Sequence, residues 1–341
     1  MKTIILNQPQ ELKLIHQDFD DTLAPHEALL KIHRIGICGT DYHAYRGRQP
    51  FFSYPRVLGH ELGAEVIALG SEAQNGGIKV GAKVSVEPYL NCGECQPCKN
   101  GRTNCCESLK VLGVHIDGGM VEYLKVPVNK LHTSEKLAYE QLALVETLGI
   151  GSHAVQRANV TEKDIVLVIG AGPIGLSVIQ FAKINGAKIA VMDFSEQRLA
   201  FANQAIGIDV SIVPNENYSA DDLRKTLGGN LPTVVFDATG NAQSMMKAFS
   251  YVCFGGKLVY VGLFQGEVTF FDPDFHRREI TLLASRNALP ADFKHIISKM
   301  ESGEINTKAW LTHEAAFEDL PEIFETWLDP KSQVIKAMVV L

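Results

Sequence analysis

The chain has 341 residues, 46% of them hydrophobic, enough to bury a sizeable core and to split into two domains. Its formal charge of −7 offers no basic patch for nucleic acid, and no apolar run approaches the ~18 residues of a membrane span. No low-complexity segment or internal repeat is present, and Met1-Lys2-Thr3-Ile4 lacks the apolar core of a signal peptide, so a compact cytoplasmic protein is expected.

Residues 1 to about 145 read as β-rich and irregular, opening with a strand at the N-terminus and continuing through short runs at 28–35, 62–69 and 83–86. Glycine and proline punctuate them, and long helical periods are absent. Two motifs in this part offer metal ligands: Ile37-Cys38-Gly39-Thr40-Asp41 and Gly59-His60-Glu61. A thiolate, an imidazole and a carboxylate from separated positions suit an open catalytic zinc site, completed by water or substrate.

Five of the seven cysteines crowd into 92–106, leaving Cys38 and Cys253 apart. In a reducing compartment such crowding argues for metal rather than disulfides. Cys92, Cys95, Cys98 and Cys106 form C-x2-C-x2-C-x7-C, which suits a closed structural zinc site; Cys105 is the alternative fourth ligand. The expected role is to hold together a lobe, about 88–110, that has no core of its own.

From about 155 to 285 the pattern changes to alternating strand and helix, with strands expected at 165–169, 188–192, 210–213, 233–237, 257–262 and 280–284. This predicts a doubly wound parallel sheet with right-handed crossovers. The apolar run 165–169 breaks into Gly170-Ala-Gly172-Pro173-Ile174-Gly175, followed by a helix over 174–184. The first glycine permits the turn, the second lets a pyrophosphate approach the backbone, and the third lets the helix pack on the strand. Asp193 closes the next strand, where a carboxylate accepts from ribose hydroxyls and repels a 2′-phosphate. No cation follows until Arg198, so NAD is favoured over NADP. Thr239, after the strand 233–237, and Val261-Gly262 are placed for further cofactor contacts. The tail offers helices at 292–302 and 320–328 and a strand at 333–340, which is expected to return to the first domain.

Together, Cys38-Gly-Thr-Asp, Gly59-His-Glu, the four-cysteine lobe and Gly170-Ala-Gly-Pro-Ile-Gly resemble the zinc-dependent medium-chain dehydrogenase/reductase family, in the family's order along the chain. Segments 45–61 and 111–119 look most similar to the polyol and sugar-acid dehydrogenases (sorbitol, L-idonate and L-galactonate types) and the RspB-like group. The resemblance implies a GroES-like catalytic domain (1–145 and 286–341), a Rossmann NAD-binding domain (146–285) and an active site in the cleft between them. It implies two zinc ions per chain. The catalytic one is assigned to Cys38, His60 and a carboxylate, which is either Glu61 or Glu146 in Leu144-Val-Glu146-Thr-Leu-Gly. The usual proline after that glutamate is Thr147.

The implied reaction is hydride transfer to NAD from a secondary hydroxyl of a polyol, sugar or sugar acid, with zinc as Lewis acid. Thr40 and His43 are candidates to carry the released proton outward, and His115 and Arg286 to contact substrate. An L-threonine 3-dehydrogenase-like activity and a catalytically silent nucleotide sensor are the competing readings. Assembly as a homodimer or homotetramer is implied, with the strand before Arg286 as the joining edge.

Overall fold

A computed structural model of the chain describes residues 1–50, 52–73 and 77–341. Phe51, inside the segment 45–61 that carries the family likeness, lies outside the described residues. The chain divides into two compact units, Met1–Thr147 with Leu289–Leu341, and Leu148–Ala288.

The first unit is built on a sheet ordered Leu131–Thr133, Lys83–Val86, Glu61–Leu69, Glu27–Ile37, Lys336–Val340, Leu311–Ala316, with Tyr123–Pro127 also pairing Glu27–Ile37. A smaller sheet joins Glu11–His16, Lys2–Gln8 and Arg56–Val57. Apolar residues from both pack one core around Ile4, Leu30, Ile32, Leu62, Met120, Phe317, Phe324 and Val339. The strand Glu27–Ile37 is central because its residues Leu29, Leu30, Ile32, Ile35 and Ile37 are all buried, leaving neither face to solvent over most of its length. In its register Gly36 lies opposite Glu61 on one side and Met338 on the other.

The second unit is a six-stranded parallel sheet ordered Val210–Ile212, Lys188–Met192, Ile165–Ile169, Val234–Asp237, Lys257–Tyr260, Thr281–Ala284. The first strand in sequence therefore sits centrally, and the strand order reverses between Ile165–Ile169 and Val234–Asp237. That reversal is the switch point at which open α/β sheets bind ligands. The helix Pro173–Ile184 starts with proline, whose missing N–H costs nothing there, and stops at Asn185-Gly186, where Gly186 takes φ +81°.

The structure differs from the sequence-based expectations at several element boundaries. A 20-residue helix, Tyr139–Ala158, starts inside the segment read as lacking helices. Residues 142–149 are all buried, the polar Glu146 and Thr147 among them, so burial wraps around this part of the helix and leaves no amphipathic period. The helix expected at 320–328 is α-helical only over Leu320–Ile323 and tightens to a 3-10 helix over Phe324–Leu328. The last strand begins at Lys336 rather than 333, because Gln333 adopts a left-handed φ of 55° that a strand cannot continue. The strand predicted over 257–262 ends at Tyr260, so Val261 and Gly262 belong to the loop beyond it.

Candidate active site: two metal-capable clusters and a glycine turn

Cys38 stands at the end of the central strand Glu27–Ile37 and caps the helix Gly39–Tyr45. Its N–H donates to Asp41 Oδ2 at 2.8 Å, which fixes the turn. Glu61 opens the neighbouring strand with His60 just before it, and the approach to them depends on glycine. Gly59 has φ +94°, and a Cβ on Gly118 would lie 2.3 Å from the Gly59 carbonyl oxygen. Asp117 secures this crossing by accepting from the Val57 N–H at 3.0 Å and from Arg56 at 3.2 Å.

The result is that one donor atom each from Cys38, His60 and Glu61 lie within 4.8 Å of one another. Glu61 is fully buried and His60 nearly so, yet Glu61 Oε2 has no hydrogen-bond partner among the described residues, while His60 Nδ1 faces Asp41 Oδ1 at 3.9 Å. Buried polar atoms without partners are costly unless something else satisfies them. One sulfur, one nitrogen and one oxygen with an open fourth position are the donor set of a catalytic zinc, so these residues fit that ion.

Two residues to which the sequence reading gave no role complete the arrangement. Lys336, 2% exposed in the strand Lys336–Val340, reaches Glu61 Oε1 at 2.5 Å. Gly36 lies beneath the same carboxylate, where a Cβ would come within 2.1 Å of Glu61 Oε2. A lone lysine in the apolar run Val334-Ile335-Lys336-Ala337-Met338 was the available signal, since lysine is almost never fully buried unless paired. Burial opposes the charge on Lys336, but Glu61 and Cys38 outweigh it and raise its pKa. Burial likewise opposes the charge on His60, but Asp41 and Cys38 prevail and hold its pKa well above the ordinary value.

Glu146, on the helix Tyr139–Ala158, is buried in the same unit but does not join the three-residue group. Its Oε1 accepts a hydrogen bond from the buried Tyr89 hydroxyl, and burial raises its pKa. The helix runs through Thr147 without a break. Thr40 is half-buried, and His43 lies on the outer side of the helix Gly39–Tyr45. Partial burial of the His43 ring, with Arg46 and Arg48 nearby, lowers its pKa. His115 is half-buried and accepts from the Val111 N–H through Nδ1 at 3.1 Å, closing the turn of segment 111–119.

The cysteine lobe forms the second cluster. Cys92, Cys95, Cys98 and Cys106 present their sulfurs within 4.8 Å of one another, while Cys105 is exposed and outside the group. Cys92 N–H donates to Cys106 Sγ at 3.3 Å and Cys95 N–H to Cys92 Sγ at 3.4 Å. Backbone N–H groups of Glu107 and Cys98 lower the Cys95 pKa to about 7. Between residues 91 and 109 only Asn104, Cys106 and Leu109 are buried, so the lobe has no apolar core.

In the second unit, Gly170 takes φ +97° and a Cβ on Gly175 would meet the Gly170 carbonyl oxygen at 1.8 Å. Gly172 precedes Pro173 and Ile174 with open space above it, bordered by the Arg198 guanidinium at 3.8 Å from a notional Cβ. Asp193 accepts from the N–H groups of Ala171 at 2.7 Å and Ser195 at 2.8 Å, fixing its carboxylate beside the turn. Thr239 follows Val234–Asp237, with its Cγ2 3.2 Å from a notional Cβ at Gly170. Gly262 packs on Gly240, where a Cβ would meet the Gly240 nitrogen at 2.5 Å. These loops therefore meet at the carboxyl end of the sheet, around the switch point, and can cradle a dinucleotide. Arg286 is exposed, just past Thr281–Ala284.

Residues 24–136 match the alcohol dehydrogenase GroES-like domain, and residues 173–302 match the zinc-binding dehydrogenase domain. The chain is 42% identical to L-galactonate-5-dehydrogenase of Escherichia coli K12 over 99% of its own length and 98% of that protein. It is 31% identical to sorbitol dehydrogenase of Bacillus subtilis 168, covering 99% of this chain and 97% of the other. Its structure is similar to that of a short chain alcohol dehydrogenase (RspB) of Escherichia coli CFT073 in complex with NADH. The TM-score is 0.92 at 29% identity, covering 100% and 99% of the two chains. The chain thus belongs to the zinc-type alcohol dehydrogenase family, oxidoreductases that act on CH–OH groups.

Proposed function

We propose that the protein oxidises a secondary hydroxyl of a sugar acid, polyol or sugar to a ketone, with NAD as acceptor. The observation that carries this reading is the Cys38–His60–Glu61 group, whose buried Glu61 Oε2 has no hydrogen-bond partner among the described residues. When bound, zinc supplies a Lewis acid for the hydroxyl oxygen and NAD the hydride acceptor. Cys38, His60 and Glu61 would hold the ion, and Glu146 is outside that group. Thr40 and His43 take up the released proton. The lowered pKa of His43 suits a neutral imidazole that accepts a proton and passes it to solvent.

Gly170, Gly172, Pro173, Ile174, Gly175, Thr239, Val261 and Gly262 line the cofactor, with Arg198 at its edge. Asp193 selects NAD, because its fixed carboxylate repels a 2′-phosphate. His115 and Arg286 contact substrate, the guanidinium suiting a carboxylate or paired hydroxyls. The 42% identity to an L-galactonate-5-dehydrogenase favours a sugar acid. Cys92, Cys95, Cys98 and Cys106 hold a second, structural zinc.

All seven cysteines are unpaired, which supports a reducing cytoplasmic setting. Among the described residues no helix is long and apolar enough to cross a membrane. Assembly as a homodimer or homotetramer through the edge strand Thr281–Ala284 is supported by its exposed Leu282.

The test is NADH formation over a panel of aldonates including L-galactonate, polyols, aldoses and L-threonine. Turnover confined to L-threonine would overturn the substrate class. Cys38→Ser is expected to abolish turnover on every substrate while leaving NAD binding by fluorescence titration intact; retained turnover would remove Cys38 from the chemistry.

A further inference from the structure

Three buried carboxylates lie around the His60 imidazole, and besides Asp41, which faces Nδ1 at 3.9 Å, the other two are each pinned through one oxygen by a residue from a different part of the fold. Glu61 Oε1 is held by Lys336, and Glu146 Oε1 by the Tyr89 hydroxyl. The charges acting on Glu146 are those of His60, Glu61 and Lys336, which places it against the metal-capable group without belonging to it. We propose that Tyr89 is a positioning residue: its hydroxyl holds Glu146 clear of Cys38, His60 and Glu61 and so keeps the fourth coordination position open. This inference rests on the zinc assignment made under Proposed function.

Tyr89 is rigidly set for such a task. Its backbone pairs with Val111 in the short ladder Tyr89–Leu90 with Lys110–Val111, which closes the base of the cysteine lobe. Its ring packs edge-on against Phe293 at 6.3 Å, and Phe293 stacks on His132 at 4.7 Å. His132 in turn faces Glu87, which also takes Lys130 at 2.6 Å. Lys130 donates to Asn91 at 2.8 Å, and Asn91 donates to Cys98 Sγ at 3.6 Å. Residues 87, 89 and 91 thus alternate along one extended segment, with the phenol between two polar anchors.

A carboxylate released from its fixed donor is drawn more strongly to a divalent ion than to the Lys336 ammonium, which Glu61 already engages. Holding Glu146 by a neutral hydroxyl preserves its charge near the site while denying it coordination. Replacing Tyr89 by phenylalanine keeps the ring contacts and removes only the donor, so the freed carboxylate is expected to take the open position.

The experiment uses the full chain with cobalt(II) in place of zinc, comparing wild type, Tyr89→Phe, Glu146→Gln and the double variant. The Cys38-dependent part of the visible absorption is isolated by subtracting the spectrum of Cys38→Ser. Tyr89→Phe is expected to shift that difference spectrum and to slow metal release to a chelator by about tenfold, the scale of effects from partners of metal ligands. The double variant is expected to return to the spectrum and release rate of Glu146→Gln, since the effect runs through that carboxylate. A wild-type spectrum in Tyr89→Phe, or a shift that persists in the double variant, overturns the role of Tyr89 alone. Absence of any Cys38-dependent signal in wild type overturns the zinc assignment as well. Should Tyr89→Phe fail to fold, Glu146→Gln by itself decides: an unchanged spectrum is expected, and a changed one makes Glu146 a ligand and overturns the proposal.

Discussion

The carboxylate of Glu61 occupies the space that any side chain at Gly36 would fill. A Cβ there would sit 2.1 Å from Oε2 and 3.0 Å from the Glu61 Cβ. The two residues are direct partners across the ladder between Glu27–Ile37 and Glu61–Leu69, so neither can move aside without breaking register. Gly36→Ala is therefore expected to expel the Glu61 carboxylate from its place beside Cys38 and His60. Metal analysis should show loss of the equivalent at that group with retention of the one at the cysteine lobe. An alanine variant with its full metal content would mean that the carboxylate has another seat.

Metal uptake at the same group should depend on pH in a direction set by His60. In the metal-free chain Asp41 and Cys38 raise its pKa well above the ordinary value, which favours the protonated imidazole. That proton stabilises the metal-free fold fully below the unfolded-state pKa, and its contribution is lost as pH rises through the folded value. A metal must displace it, so apparent zinc affinity should rise as pH climbs through and above the ordinary imidazole range, with proton release on binding. Calorimetric titration in buffers of different ionisation enthalpy measures the release. Binding without protons would show that His60 is not a ligand.

Asp193 gives a prediction about cofactor choice. Its carboxylate cannot swing away from an incoming phosphate, because both oxygens accept backbone N–H groups. Asp193→Asn removes the charge and should raise the ratio of kcat/KM for NADP over NAD by about 10- to 100-fold, equivalent to roughly 1–3 kcal/mol of relieved repulsion. An unchanged ratio would place cofactor selection elsewhere.

The adjacent cysteines 105 and 106 should behave oppositely. Cys106 is buried among the sulfurs of Cys92, Cys95 and Cys98, whereas Cys105 points outward. Cys105→Ser is expected to leave metal content and melting temperature unchanged. Cys106→Ser should lose the lobe's metal and lower the melting temperature, because few apolar contacts remain to hold segment 91–109. Equal effects of the two would contradict the ligand set.

What was legible in the sequence follows from how far apart the cooperating residues lie. The lobe's four cysteines fall within fifteen residues, so their spacing alone restricts their geometry. The parallel sheet was equally readable, since strands such as Ile165–Ile169 are unbroken apolar runs ended by glycine. Gly36 and Lys336, by contrast, reach Glu61 only through strand register, and one of them comes 275 residues later in the chain. Tyr89 carried no local signal at all: a tyrosine before a cysteine lobe looks like any strand residue until a helix from elsewhere presents Glu146. The helix Tyr139–Ala158 escaped because Glu146 and Thr147 are buried along with its apolar residues, so polarity in the sequence does not mark a solvent face.

The position of the strand Lys336–Val340 also dictates an order of events during synthesis. It lies in mid-sheet, between Glu27–Ile37 and Leu311–Ala316, although almost the whole chain precedes it. A growing polypeptide therefore finishes the contiguous nucleotide-holding unit while the half that carries Cys38 still waits, its sheet gaping and its glutamate lacking a counter-ion. The thiol of Cys38 and an incomplete hydrophobic seam remain exposed until the strand Lys336–Val340 has left the ribosome, which makes that interval the point at which a chaperone or a metal donor has most to contribute.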